Sequence, residues 1–463
     1  MSRNNIALGE VRVGRVISEE ESELPDQAAT MTFDEERGVE LHLPYFWEPE
    51  DGANPHYARA VQWFDLRESH LPTTLVFQDE RGGVTLVGAR VSGVSGRSAC
   101  VGRVRAETVI FNTPRSIRPT YEVRQVTSTI DGLEEFADFR PVTHDTAFED
   151  GGTHRTTVTV HADEAVTWEA EGFGFTIHSS VSWEAVEGRS FVIKDSRPTL
   201  ITVSETGATP VQHVKAQWAV RALLSLLLGA RTPWRSHEVM DNEFPLWGMG
   251  SIEHGPHNVQ TLLSGTVKHH SAPPAESMPM PAFRLRDIGA DGMRSWVERY
   301  ADPRFERAVQ PAVEVINGAS AFLEPQLMML AISLDRFGDY RFNDGVQRAM
   351  KTTIKRCLDD SGFDWSQVGS NEAIAASIAN VNNDLKHPGR PTYPDGDVLT
   401  GVTRLARVIV RAQLFDLLNL DDHARRTFFG SAEVRNALTY FAHAGLTISD
   451  NGKFSRIAPE PEE

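Results

Sequence analysis

The strongest constraint on this 463-residue chain is a change in the period of its apolar residues. Up to about residue 205 they alternate with polar ones; from 290 to 450 they recur every three or four positions. A period of two gives a strand one apolar face and a period near 3.6 gives a helix one apolar stripe, so a single segment cannot serve as both. The alternating runs 39–43, 156–160 and 175–178, with apolar runs at 74–77, 84–87, 191–193 and 200–203, are separated by Gly, Pro and Asp clusters. They predict a sandwich or barrel of eight or more strands. Segments near 294–317, 322–337, 344–359, 371–387, 398–418 and 432–444 predict a helical bundle. A chain of this length exceeds one ordinary core. The expected fold class is therefore multidomain α+β: an N-terminal mostly-β sandwich- or barrel-like domain, then a C-terminal all-α bundle.

Between these halves, residues 206–270 predict a helix from 211 to 229, capped by Gly229, and an aromatic-rich loop containing Trp234, Phe244 and Trp247, both packed on the β region. Residues 271–289 begin SAPPAESMPMPAF, which has no apolar period and reads as a Pro-rich linker. The domains expected are thus 1–205, 206–270 and, after the linker, 290–450, with 451–463 a disordered tail. The acidic stretch 19–26 reads as an exposed loop.

Two cysteines, Cys100 and Cys357, fall in different expected domains and make no disulfide framework. The start lacks an apolar leader and the longest apolar run contains Arg221, so a cytoplasmic protein without a membrane partner is expected. The net charge of −18 argues against a broad nucleic-acid footprint. Residues 290–463 hold 20 Lys and Arg against 24 Asp and Glu, so only −4 of that charge falls there, and a local RNA site in the bundle is compatible with it. His254, His257, His269 and His270 match no zinc spacing, and no phosphate loop, dinucleotide fingerprint, HExxH or GxSxG is present. No metal and no cofactor is expected.

The stretch with the most chemistry is 371–390, NEAIAASIANVNNDLKHPGR. Ile374, Ile378, Val381 and Leu385 form one stripe of a helix capped by Ser370 and stopped by Pro388-Gly389. Asn380, Asn383, Asp384 and His387 gather roughly 140° away. His387 and Lys386 fall in the last turn, where the helix dipole favours a protonated imidazole. On spacing alone, such residues are more often only a solvated helix end with a charge-complementary terminus. In the helix near 398–418, Arg404, Arg407 and Arg411 share the side opposite a wide apolar face, as a basic patch or as solvated surface with acidic partners.

The sequence NNDLKHPGR closing a helix in an all-helical region resembles the motif of HEPN domains, particularly the ApeA-like branch of bacterial anti-phage proteins; RGVELHLPYF adds a looser likeness in the β region. The family motif is Arg, four to six residues, then His. Asn383, Asp384 and His387 match its Arg-Asn-Asp-x-x-His form, and Asn382 stands where that form has Arg. The resemblance implies an abortive-infection effector in which an HEPN-like bundle acts as a metal-independent endoribonuclease, gated by an N-terminal domain that senses a phage-derived trigger. It implies a homodimer that brings two such motifs to one groove. His387 would be base or acid, Asn383 would orient it or the phosphate, and Asp384 would hold Lys386 or a neighbouring Arg; Lys386 or an Arg from the row Arg404, Arg407, Arg411 would replace the absent cation, and Arg404, Arg407, Arg411 and Arg390 would bind RNA. Arg at position 382 would restore the motif. The residues equally allow a non-catalytic HEPN-like dimerisation, nucleotide-binding or RNA-binding sensor.

Overall fold

The computed structural model describes residues 4–456 except 18–25, 47–54, 66–70, 150–152, 162–163, 187–189, 196, 249–251, 273–277 and 388–392. Most of the expected acidic loop and part of the expected linker therefore lie outside the described residues, as do Pro388, Gly389, Arg390 and the tail from 457 on. By internal contacts the chain divides into two compact units. The first comprises Met1–Asp131, Pro141–Gln217 and Pro233–Pro274; the second comprises Gly132–Arg140, Trp218–Thr232 and Ala275–Glu463. The helix Pro210–Leu228 thus gives its first two turns to one unit and the remainder to the other.

In the first unit fourteen strands form one antiparallel sheet. Their order across it is Glu164–Ala170, Phe173–Ser179, Thr199–Ala208, Val123–Ile130, Trp234–Met240, Val259–Leu263, Thr108–Ile110, Gly82–Val87, Thr74–Asp79, Val11–Ile17, Gln27–Asp34, Gly38–Phe46, Ala99–Arg105 and Arg90–Gly96. Alternation does what the sequence requires: in Gln27–Asp34, Gln27, Ala29, Met31 and Phe33 are buried and the residues between them are not. Val259–Leu263 and Gly38–Phe46 are six strands apart, roughly 29 Å in a flat sheet. They nevertheless touch, and Leu262 shares one core with Leu41, Leu43 and Phe77. The sheet must curl on itself, barrel-like. Among the described residues no pairing joins its two edge strands, so the curl stays open. Trp234–Met240, expected as part of an aromatic loop, is a central strand instead. Its pattern was hidden because the consecutive polar residues Arg235 and Ser236 break the alternation, at a register shift between Trp234 and Ser236, and only His237 and Val239 resume it.

The second unit is helical: Leu285–Ala301, Pro303–Ile316, Leu323–Phe342, Met350–Ser361, Asn371–Lys386, Gly396–Leu417, Asp422–Phe429 and Ala432–His443. The expected helix 294–317 is two helices, because Asp302 caps the Arg304 amide at 2.8 Å and Pro303 opens a new first turn. Residues 451–456, expected in a disordered tail, include the second strand of a hairpin, Phe454–Arg456 on Leu446–Ile448. Phe454 anchors that strand by stacking on Phe441, with ring centroids 6.1 Å apart and planes 12° from parallel.

Candidate functional site

The motif helix Asn371–Lys386 begins at Ser370, whose hydroxyl accepts the Ala373 amide at 3.2 Å. Ile374, Ile378 and Val381 are buried as the stripe predicts, and Leu385 is half-buried. Burial is wider than the stripe, since Ala373, Ala375, Ala376, Ser377 and Ala379 are buried too. Helices Leu323–Phe342, Met350–Ser361 and Gly396–Leu417 all pack against it. Only the last turn is left polar: Asn383 and Asp384 are half-buried, Lys386 and His387 exposed. His387 is the C-cap, and its amide donates to the Asn383 carbonyl at 3.1 Å.

Asn382 is fully buried, with Nδ2 3.4 Å from the Met350 sulfur and Oδ1 without a partner. At 100° per residue it lies about 70° from the centre of the apolar stripe, on its shoulder. An arginine there would start from the bundle interior, which weighs against the expectation that Arg at 382 restores a working motif.

On the opposite side of the helix, Asn380 and Asp384 line a cleft of about 680 Å³. The other walls are Tyr393, Pro394, Asp395 and Val398 before and within the next helix, and the C-terminal hairpin with Lys453, Phe454 and Arg456. Arg456 Nη2 lies 3.1 Å from Asp395 and 3.1 Å from Asp397. Asp395 caps the next helix, accepting the Val398 amide at 2.8 Å; that bond, then Arg456, holds its carboxyl below the usual range. His387 does not line the cleft but lies one residue past the helix end, three beyond Asp384. The cleft therefore joins two of the polar-face residues to two cations that the motif itself did not reveal. Only tertiary packing brings Lys453 and Arg456 there; nothing in their local sequence marks them.

The arginine row does not form the open basic face proposed for it. Arg411 is buried, its Nε donating to the Leu226 carbonyl at 2.6 Å, Nη2 to the Leu227 carbonyl at 2.7 Å and Nη1 to Glu433. Arg407 donates to the Gly229 carbonyl and pairs with Glu433. These carbonyls end the helix Pro210–Leu228 and have no intrahelical donors, so the two guanidiniums cap it. Gly229 has φ +61°, and a Cβ there would lie 2.4 Å from Arg411 Nη1, so glycine is favoured on both counts. Arg404 is exposed and rests 4.9 Å from the Tyr440 ring centre. The sequence showed three arginines on one side but not the helix end facing two of them.

In the first unit, a buried hydrogen-bond chain links a sheet to the start of helix Pro210–Leu228. His213 contacts the Val123 carbonyl and Thr202, each at 3.0 Å; Gln217 donates to Thr202 and accepts from Ser128; His237 contacts Ser128 at 2.8 Å and Thr266 at 3.0 Å. Burial drives His237 well below the ordinary imidazole range and His270 to about 4. Trp234 and Phe244 are buried, whereas Trp247 is exposed. Among the described residues no three His, Cys, Asp or Glu side chains are grouped to hold a metal ion, and no helix is long and apolar enough to cross a membrane.

A family model described as ApeA N-terminal domain 1 matches residues 11–296, well over half of the chain. No curated protein and no solved structure matches it.

Proposed function

The chain belongs to the ApeA N-terminal domain 1 family, which supports a role in anti-phage defence, and from that premise we propose a cytoplasmic effector whose bundle cleaves RNA at the tip of the motif helix. The observation that carries this reading is the cleft in which Asn380 and Asp384 meet Lys453 and Arg456, close in sequence to an exposed His387. RNA cleavage without a metal needs a base, an acid and a cation. The ribose 2′-oxygen bonds to phosphorus as His387 takes its proton; the bond from phosphorus to the 5′-oxygen breaks, and that oxygen takes a proton from an acid. One helix tip offers one imidazole. A two-fold dimer through the bundle supplies the second, His387 of the other copy, and completes the pair. The curled sheet is the sensing domain that gates this activity.

Incubating the purified protein with total RNA in EDTA tests the proposal. Cleavage that disappears in His387→Ala while the dimer persists is expected; unchanged cleavage in His387→Ala, or a monomer, refutes the composite site. A second reading, a non-catalytic HEPN-like sensor that binds RNA or nucleotide, is favoured by one observation: buried Asn382 stands where the motif has its arginine. RNA binding with no cleavage under any condition selects it.

A further inference from the structure

A site that holds RNA must meet a phosphodiester charge with a cation, and the motif helix offers none within the cleft. Asn382 faces the bundle interior, and Lys386 and His387 do not line the cleft. Arg407 and Arg411 are committed to carbonyls and Glu433. The two cations that do line it, Lys453 and Arg456, both come from the hairpin.

That hairpin is fixed to the motif helix rather than loosely appended. Asn380 Nδ2 donates to the Asn451 carbonyl at 3.1 Å. Gly452, at φ +74°, lies so near the helix backbone that a Cβ would come within 2.4 Å of the Ser377 nitrogen. The turn is closed by the Gly452 amide on the Ser449 carbonyl at 2.7 Å and the Ser449 amide on the Lys453 carbonyl at 3.0 Å. Strand and helix thus set the spacing between the cations and Asp384.

Arg456 is also available. Its side chain is 62% exposed, and both of its carboxylate bonds are made by Nη2, so Nε and Nη1 carry no hydrogen bond among the described residues. Asp395 and Asp397 are each about half exposed, and exposed ion pairs hold weakly. A phosphate oxygen, which a planar guanidinium grips through two N–H groups at once, can compete for it. The apolar part of the lining, including Val381, Val398 and Phe454, suits a base beside that phosphate.

We propose that the C-terminal hairpin supplies the phosphate-binding cation of this site, with Arg456 engaging the RNA phosphodiester next to Asn380 and Asp384 and Lys453 supporting it. The inference rests on the RNA reading above. In the chemistry given there, Arg456 forms and breaks no covalent bond; it offsets the charge that builds on the non-bridging phosphate oxygens.

The test uses the full-length protein and a short fluorescein-labelled single-stranded RNA in EDTA, with anisotropy for binding and a gel for cleavage. Arg456→Gln is expected to weaken binding about tenfold, the scale of one charge-assisted contact, and to reduce the salt dependence of log K by about 0.7. Cleavage falls with it, Arg456→Lys recovers part of the binding, and Lys453→Gln has a smaller effect. Asp397→Asn, which removes one of the two carboxylates that hold Arg456, tightens binding, a gain that misfolding cannot mimic. Arg435→Gln, on an exposed helix face away from the cleft lining, leaves both readouts unchanged. If Arg456→Gln and Asp397→Asn both bind and cut like the wild type while His387→Ala still abolishes cleavage, the hairpin assignment is wrong and the RNA reading stands. If the wild type neither binds nor cuts RNA, both are wrong.

Discussion

Arg411 and Arg456 show how differently one side chain is used in two regions of the bundle. Arg411 is buried, and its guanidinium is divided among two helix-terminal carbonyls and Glu433. Arg456 is mostly exposed and leans on two carboxylates that are themselves half in water. The first is buried with a bond from each of its three nitrogens, out of reach of a ligand; the second loses little by exchanging partners. A cation's place in a sequence pattern is therefore a poor guide to its role, and its accessibility and unspent donors are a better one.

The largest effect that could break this comparison comes from Arg411→Met. It strands two buried carbonyls and leaves Glu433 to Arg407 alone, and it should cost about 2–4 kcal/mol. Urea unfolding followed by tryptophan fluorescence reads that loss; a cost under about 1 kcal/mol would place Arg411 with the surface arginines. Asn382→Arg comes next, with a loss on the order of 2–4 kcal/mol from a charge forced into the interior. It should unfold more easily and cleave RNA no better than wild type, and improved cleavage in the same assay would show that position 382 reaches the cleft after all.

Acid sharpens the contrast between units. His237 and His270 have folded-state pKa values below 6.5, so unfolding takes up protons they refuse when folded. Their contribution is full above about pH 6.5 and declines as pH falls towards 4, with His270 alone accounting for roughly 2–3 kcal/mol. Thermal melts between pH 7 and 4.5 should show the sheet unit losing stability, and His270→Gln should flatten that slope; a parallel slope in the variant would rule the histidine out. The smallest effects belong to the helix tip and the cleft. His387→Ala and Arg456→Gln are each expected to change stability by less than about 1 kcal/mol, and a differential-scanning loss well beyond that would make either residue structural.

The change of apolar period was enough to read the fold class, and Ser370, Ile374, Ile378 and Val381 were readable as a capped, buried helix because cap and stripe are both local signals. Asp302-Pro303 was equally local, and its cap-then-proline signature was overrun by apolar spacing that continues through both helices. Trp234–Met240 was missed because two flanking strands, far off in sequence, supply its pairing. The hairpin was missed for a similar reason: three-residue strands carry little pattern, and Phe454 and Gly452 reveal their purpose only against Phe441 and Ser377. Of the candidate site, Asn380 and Asp384 could be read as one face of a helix. The cations opposite them could not, since no spacing rule relates residues about seventy positions apart.

A fourteen-strand sheet that curls without closing must end somewhere, and among the described residues its two outer strands each pair on one side alone, leaving an edge that could recruit another chain. The strand Arg90–Gly96 is poorly suited to such growth. Its register slips between Val91 and Gly93, Gly96 turns out of strand geometry at φ +112°, and Arg90 adds charge at its start. At the far border, Glu164–Ala170 carries glutamates at 164 and 169. Irregularity and charge at these two borders thus work against edge-to-edge pairing with another chain.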